Sequence, residues 1–193
     1  MIMGEQKTEW LLRHKLSVEA YHRLGQSGIL PENDRVELIE GEVIDMSPIG
    51  CRHAGIVTKL AYLIRNQTGS SAVVASQNPV HLSDLSEPQP DISVLRARSD
   101  FYADSHPNPE DVLLAIEVAD TSLRYDREVK LPLYARANIR EVWLLDLEAG
   151  QLLVNREPAN GIYVCTIALN RGETAVSTCE PRISIALSDV FGA

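Results

Sequence analysis

The sequence predicts an α/β or α+β fold: a mixed β-sheet flanked by helices, preceded by an N-terminal helix and a hairpin. Three observations carry this expectation. Residues 111–119, DVLLAIEVA, are apolar without the alternation of a half-solvated strand, which marks a central strand covered on both faces. Residues 50–67 place Ile56, Val57, Leu60, Leu63 and Ile64 on one stripe at helical spacing. Strand-like runs stand on both sides of a second helical stretch near 126–137, an order that suits layered sheet and helices and not a barrel.

Taken in order, Ser17 can cap a helix through VEAYHRLGQ, which Gly25 or Gly28 would end. RVELIE and EVIDM flank Gly41 as the arms of a tight hairpin. The helix over 50–67 stops at Gly69. Strands are expected at 72–82, 91–96 and 111–119, with FYADSHPNPE as an exposed loop between the last two. Then come the helix near 126–137, the strand REVWLLDL, a turn at Glu148-Ala149-Gly150, and strands near 151–156 and 161–168. The tail RISIALSDVFGA reads as one last short strand and a turn.

A chain of 193 residues has room for one substantial core, so one domain is expected over 1–193, with 1–34 as a helical extension and 35–170 as the core. No segment reaches the roughly 18 unbroken apolar residues of a membrane helix, and MIMGEQKTEW lacks the pattern of a signal peptide, so a cytoplasmic protein without membrane contact is expected. Cys51, Cys165 and Cys179 are odd in number and widely spaced, which gives neither a disulfide framework nor a zinc pattern, and Cys51 has no histidine and acid near it in sequence. A formal charge of −9 argues against holding polyanions by the general surface, so nucleic-acid binding would have to be local. Arg96, Arg98, Arg124, Arg127, Lys130, Arg136 and Arg140 gather around the central strands, while Glu5, Glu9, Glu32, Asp34, Glu37, Glu40, Glu42 and Asp45 hold the acidic surplus elsewhere.

Glu117 sits inside the most apolar strand, where an ionised acid costs several kcal/mol unless a cation, a metal or hydrogen bonds compensate it. If 91–96 and 111–119 are neighbours, Asp91 and Glu117 meet at one edge of the sheet. Two such acids outline a site for a hard divalent ion such as magnesium or manganese, with the Val118 carbonyl as a third ligand. Phosphodiester hydrolysis is the chemistry this would serve. Lys130, on the following helix, could aim an ammonium at the attacking water or the scissile phosphate.

The succession RVELIEGEVIDMSP, RHAGI, PQPDISVL and LLAIEVADTSLRYDREVKLPLYARANIREVWLLD resembles the Uma-two family, within the PD-(D/E)XK restriction-endonuclease-like superfamily. The resemblance runs from about Arg35 to Tyr163. It implies a restriction-endonuclease-like core, with Asp91 as the PD aspartate, Glu117 as the second acid and Lys130 in place of a lysine usually found two residues after that acid, where this chain has Ala119. It further implies Glu37 as the upstream glutamate of the hairpin and His53 as the helix histidine. The run after the acid is Ala119-Asp120-Thr121-Ser122 and departs from the family's serine-rich pattern. Pro132 requires the helix to begin near Lys130 or to kink there.

Plainer roles stand beside these. Asp91 could bond backbone donors at a strand entrance; Glu117 could be a buried partner of Arg124 or Lys130; Lys130 could be a solvated helix lysine. His53 could be a neutral core histidine, and Asp126 an N-cap instead of a supporting group beside Tyr125 and Tyr134. The leading expectation is a magnesium- or manganese-dependent DNA endonuclease in which Asp91 and Glu117 hold the ion, Glu37 binds or orients the metal or its water, Lys130 positions the nucleophile and His53 assists. It could work as a homodimer, because one site cuts one strand. A catalytically silent module that binds a protein or nucleic acid, and a metal-dependent hydrolase of other phosphoesters, are the alternatives.

Overall fold

The computed structural model describes residues 13–31 and 33–191; Glu5, Glu9, Glu32 and the N-terminal decapeptide lie outside them. The chain opens with α1 (Val18–Gln26), where Ser17 accepts a hydrogen bond from the Ala20 amide as the expected N-cap. Strands β1 (Val36–Ile39) and β2 (Glu42–Asp45) pair antiparallel, and the two-residue turn has positive φ at both Glu40 and Gly41, the mirror-image turn that suits strand twist. Helix α2 (Cys51–Thr68) ends at Gly69, whose φ of 54° meets the expected stop.

Among the described residues the main sheet has six strands in the order β3 (Ala72–Ser76), β4 (Ile92–Arg96), β5 (Val112–Ala119), β6 (Glu141–Asp146), β7 (Gln151–Ala159) and β8 (Ile162–Asn170). All pairings are antiparallel except β5 with β6. A parallel pair needs a crossover, and here it is supplied by α3 (Leu123–Tyr125), a π-helical turn (Asp126–Lys130) and α4 (Leu131–Arg136). The small pair β9 (Thr174–Val176) and β10 (Ser184–Ala186), then α5 (Leu187–Phe191), complete the chain.

Each face of the sheet has its own core. On one, Val57, Leu60 and Ile64 of α2 pack with Ile92, Val94, Leu114, Ile116, Val118, Trp143 and Leu145. On the other, Tyr134 of α4 packs with Leu95, Ala115, Ile139 and Val142. Strand β5 therefore alternates two apolar faces, as its unbroken hydrophobicity required. Glu117 falls on the same face as Ala115, beneath the crossover helix.

Several expectations are corrected. The strand expected at 72–82 ends at Ser76, because Gln77 takes φ 55° and the chain leaves the sheet toward Pro79. The helix expected at 126–137 begins at Leu123, and Asp126 lies inside it, not at its N-cap. It neither starts nor breaks sharply at Lys130: the π turn widens the helix just before Pro132, where the missing N–H would otherwise leave a gap in the ladder. The tail forms the expected strand but ends in a helical turn, and β9 has no counterpart in the expectation because TAV is too short to stand out.

Candidate active site

The register of the sheet brings the two acids together. Ile92 of β4 faces Ile116 of β5, so Asp91 at the mouth of β4 lies opposite Glu117. The Asp91 amide donates to Glu117 Oε2 at 3.4 Å, and the Val118 amide donates to Asp91 Oδ2 at 2.8 Å. Val118 therefore turns its backbone polar groups toward Asp91, since the N–H and C=O of one extended residue share an edge. Asp91 thus does bond a backbone donor, as its plainer role had it, and it does so inside a cluster of titratable groups.

Lys130 reaches down from the π turn into this cluster. Its Nζ lies 3.2 Å from Glu117 Oε1 and 3.3 Å from Glu37 Oε2, with the three side chains 5%, 3% and 2% exposed. It is therefore no solvated helix lysine. The one-residue widening of a π turn rotates the later residues relative to a regular helix, which helps to aim the ammonium inward. Arg124 is not the partner of Glu117; it is exposed and pairs with Glu128.

Glu37 is fully engaged. Its Oε1 accepts from the Tyr125 hydroxyl at 3.0 Å, and its Oε2 accepts from the Gln89 amide at 3.0 Å. Gln89 stands between Pro88 and Pro90, so its amide is the one backbone donor in that tripeptide, and its carbonyl accepts from Lys130 at 3.4 Å. Sequence reasoning missed Gln89, and the isolated N–H between two prolines was the available signal. Tyr134 donates to Glu117 Oε1 at 2.5 Å, so both tyrosines support the acids from the crossover helix.

His53, in the first turn of α2, places Nε2 3.0 Å from Asp91 Oδ2. Its Nδ1 is buried with no hydrogen-bond partner among the described residues. The bond to Asp91 is the main reason the imidazole holds its proton above the usual histidine range, against an opposing effect of burial. His53 is therefore a carboxylate partner and not an isolated core histidine.

These groups line one cavity of about 630 Å³, together with Arg35, Asp120, Ser122, Tyr125 and Asp126. Of the seven basic residues that cluster in sequence between 96 and 140, Arg124 and Lys130 line it. Arg98 is drawn off to Asp100, Arg136 to Glu40 and Arg96 to the Glu110 carbonyl. The basic character of the site is narrower than the sequence suggested.

Charge within the cavity is unbalanced toward the acids. Burial pushes the Glu117 carboxyl well above the usual range; Lys130 opposes the shift, while Asp126 and Asp91 reinforce it. Burial raises Asp126 as well, against Lys130 and the Ser122 hydroxyl, which donates to it at 2.6 Å. Burial disfavours the Lys130 ammonium, yet Glu117, Glu37, Asp126 and Asp91 outweigh it and hold the lysine charged above its ordinary range. The Lys130 ammonium and the His53 imidazole serve four carboxyl groups, which leaves negative charge that protons or a further cation would offset.

The acceptors available for a cation are specific. Asp91 Oδ1 has a single contact, from Gln77 Nε2 at 3.4 Å, and Glu117 Oε2 has only the long contact from the Asp91 amide, also 3.4 Å. Each acid thus keeps one lightly engaged oxygen, and both acids line the cavity, a donor set that suits a hard divalent ion.

A second buried carboxylate, on the neighbouring parallel strand, shows the opposite environment. Glu141 Oε1 accepts from Trp143 Nε1 at 2.8 Å and from Arg156, while its Oε2 accepts from Ser177, Thr178 and the Cys179 amide. Burial would raise its carboxyl, but these donors outweigh burial and hold it below the usual range. Glu141 is saturated and structural, whereas Glu117 is under-compensated and faces a cavity.

Comparison with known proteins agrees with this architecture. A crystal structure described as a putative nuclease belonging to DUF820, from Anabaena variabilis, superposes with a TM-score of 0.71 over 91% of this chain and 97% of its own, at 17% identity. At that identity the likeness concerns the fold. No curated protein matches the sequence. The family described as "Uma2: Putative restriction endonuclease" matches residues 18–188, a span that includes Glu37, His53, Asp91, Glu117 and Lys130. With most of its length covered, the chain belongs to the Uma2 family.

Proposed function

We propose that the chain is a metal-dependent DNA endonuclease that hydrolyses phosphodiester bonds in the cavity around Glu117. The observation that carries this reading is the contact set Asp91–Glu117–Lys130, buried beneath an open cavity with more carboxylate than one ammonium balances. In this reading Asp91 Oδ1 and Glu117 Oε2, with the Val118 carbonyl, hold magnesium or manganese. Such an ion would supply Lewis-acid stabilisation of the phosphorane charge and a water of lowered pKa.

The chain's own groups have separable tasks. Lys130 directs its ammonium at the nucleophile or the phosphate, and Glu37 holds it there by an ion pair, with both Glu37 oxygens committed to Lys130, Gln89 and Tyr125. His53 fixes Asp91 Oδ2 and leaves Oδ1 with only the long contact from Gln77. Gly50 and His53 put the N-terminal turn of α2 at the cavity wall, where its amides favour an anion. Arg35 and Arg124 add local positive charge for a phosphate backbone. A homodimer would place two such sites on two strands.

The test is titration of magnesium and manganese into the wild type, Asp91→Ala and Glu117→Ala by calorimetry, with cleavage of supercoiled and linear DNA assayed on the same samples. Saturable binding and metal-dependent nicking, both lost in folded variants, are expected. Lys130→Ala is expected to keep the metal and lower cleavage by about 10²–10³-fold. Because Glu117 carries its proton above the ordinary range, loading should release protons, and affinity should fall as pH falls. A wild type that binds no divalent ion would refute the reading; binding without DNA cleavage would point to another phosphoester or to a silent module.

A further inference from the structure

A second cavity, of about 470 Å³, is lined by Val18, His22, His81, Glu87, Tyr102 and His106 among others. The chain has five histidines, and three of them converge here from separate segments: His22 from α1, His81 from the loop after β3 and His106 from the loop before β5. Glu87 lies among them and is buried, with its side chain 2% exposed. His22 Nε2 stands 2.6 Å from Glu87 Oε1, and His81 Nδ1 stands 3.7 Å from Glu87 Oε2. The rings of His22 and His106 meet edge to face at 5.9 Å.

We propose that His22, Glu87 and His106 form a second metal site, distinct from the cavity around Glu117, that binds zinc or a chemically similar first-row ion. One ligand atom from each already lies within 4.8 Å of the others. A tetrahedral zinc site with bonds of about 2.0–2.1 Å sets its ligand atoms roughly 3.3 Å apart, so the contact between His22 and Glu87 opens slightly as His106 closes. His106 has the freedom to do so, since it is exposed on a loop. Two imidazoles and one carboxylate are the donor set of zinc and its neighbours, not of magnesium, which takes oxygen ligands.

His81 completes the arrangement as a positioning residue. Its Nδ1 faces the Glu87 oxygen that His22 does not touch, and its amide donates to the Pro107 carbonyl at 2.9 Å, which ties it to the loop bearing His106. Holding the free oxygen of a ligating carboxylate is a role usually given to outer-shell groups. The site also has a mechanical consequence. The Glu87 amide donates to the Leu38 carbonyl of β1, and the chain then runs Pro88-Gln89-Pro90-Asp91 into the cavity around Glu117. An ion there would clamp α1 and the two loops to the segment that presents Gln89 and Asp91.

The test uses the full chain, stripped of metal and titrated with zinc against a chromophoric chelator in the presence of excess magnesium. The expected result is one zinc bound by the wild type and by Asp91→Ala, and loss of that zinc in His106→Ala and in His22→Gln. His81→Ala should weaken it by about 10–100-fold without abolishing it. Cobalt in place of zinc should give the visible absorption of a four-coordinate site in the wild type and not in His106→Ala. Because His106 is exposed, its variant should keep the far-ultraviolet dichroism of the wild type. A wild type that binds no zinc, a zinc lost in Asp91→Ala, or a zinc retained in both His106→Ala and His22→Gln overturns the proposal.

Discussion

Replacing Lys130 by methionine isolates the charge of the buried cluster, because methionine keeps most of the stem and removes the ammonium. Two ion pairs, at 3.2 and 3.3 Å, are lost together. At an effective dielectric of about 20, each pair represents roughly 5 kcal/mol of direct attraction, most of which offsets the desolvation of the partners. Removing one member of such a cluster leaves uncompensated acids, and the net cost is expected to be about 3–5 kcal/mol at neutral pH without divalent ions. The cost should depend on pH. The folded-state pKa of Glu117 already lies above its unfolded value with Lys130 opposing the shift, and loss of Lys130 raises it further. A group of that kind contributes stability below its unfolded pKa and loses it as pH rises through the folded one. The gap between Lys130→Met and wild type should therefore be small near pH 4–5 and widen toward pH 8, by at most about 1.4 kcal/mol per pH unit for one proton. Urea unfolding followed by tryptophan fluorescence at several pH values measures this gap. Equal destabilisation at pH 5 and pH 8 would mean that lost packing, and not charge, sets the cost.

The geometry sets three further outcomes. Glu141→Ala should cost about 3–5 kcal/mol in thermal or urea unfolding by stranding Arg156 and the 177–179 turn, and should leave the divalent-ion binding proposed at Asp91 and Glu117 unchanged. His53 should titrate above the usual value near 6.5 by nuclear magnetic resonance, and Asp91→Asn should bring it down; no change in midpoint would mean that their bond does not set its charge. Gly41→Ala should destabilise by about 1–3 kcal/mol, since φ is 80° and the added Cβ would meet Lys15 Cβ at 2.6 Å; a neutral effect in chemical denaturation would sink that reasoning.

What could be read from sequence depended on whether the signal was local. The stripe of α2, the turn at Gly41 and the two-sided apolarity of β5 depend on short-range periodicity, and they appear where expected. Asp91 and Glu117 could be paired because each lies at a readable point of its strand. Lys130 was singled out by its place after the Glu117 strand and by the resemblance, but its reach to Glu37 and Glu117 depends on a π turn, which leaves no periodic trace. Glu141 opens the apolar run of β6, and its saturation by Ser177, Thr178 and Cys179 is a long-range fact. The convergence of His22, His81, Glu87 and His106 is likewise invisible along the chain, because it draws on one helix and two separate loops.

The cluster around Glu117 is split between two pieces of backbone. The acids Asp91 and Glu117 belong to the sheet, whereas the ammonium of Lys130 and the phenols of Tyr125 and Tyr134 belong to the crossover segment between β5 and β6. A strand-borne lysine two residues after the acid would move with that acid; here the corresponding position is Ala119, and the cation is a separate body docked from above. Lifting that segment removes the positive charge and both hydroxyl donors in one motion and leaves mutually repelling acids beneath. The ammonium and both hydroxyls therefore reach the acids as one unit, and only while the crossover helix is docked.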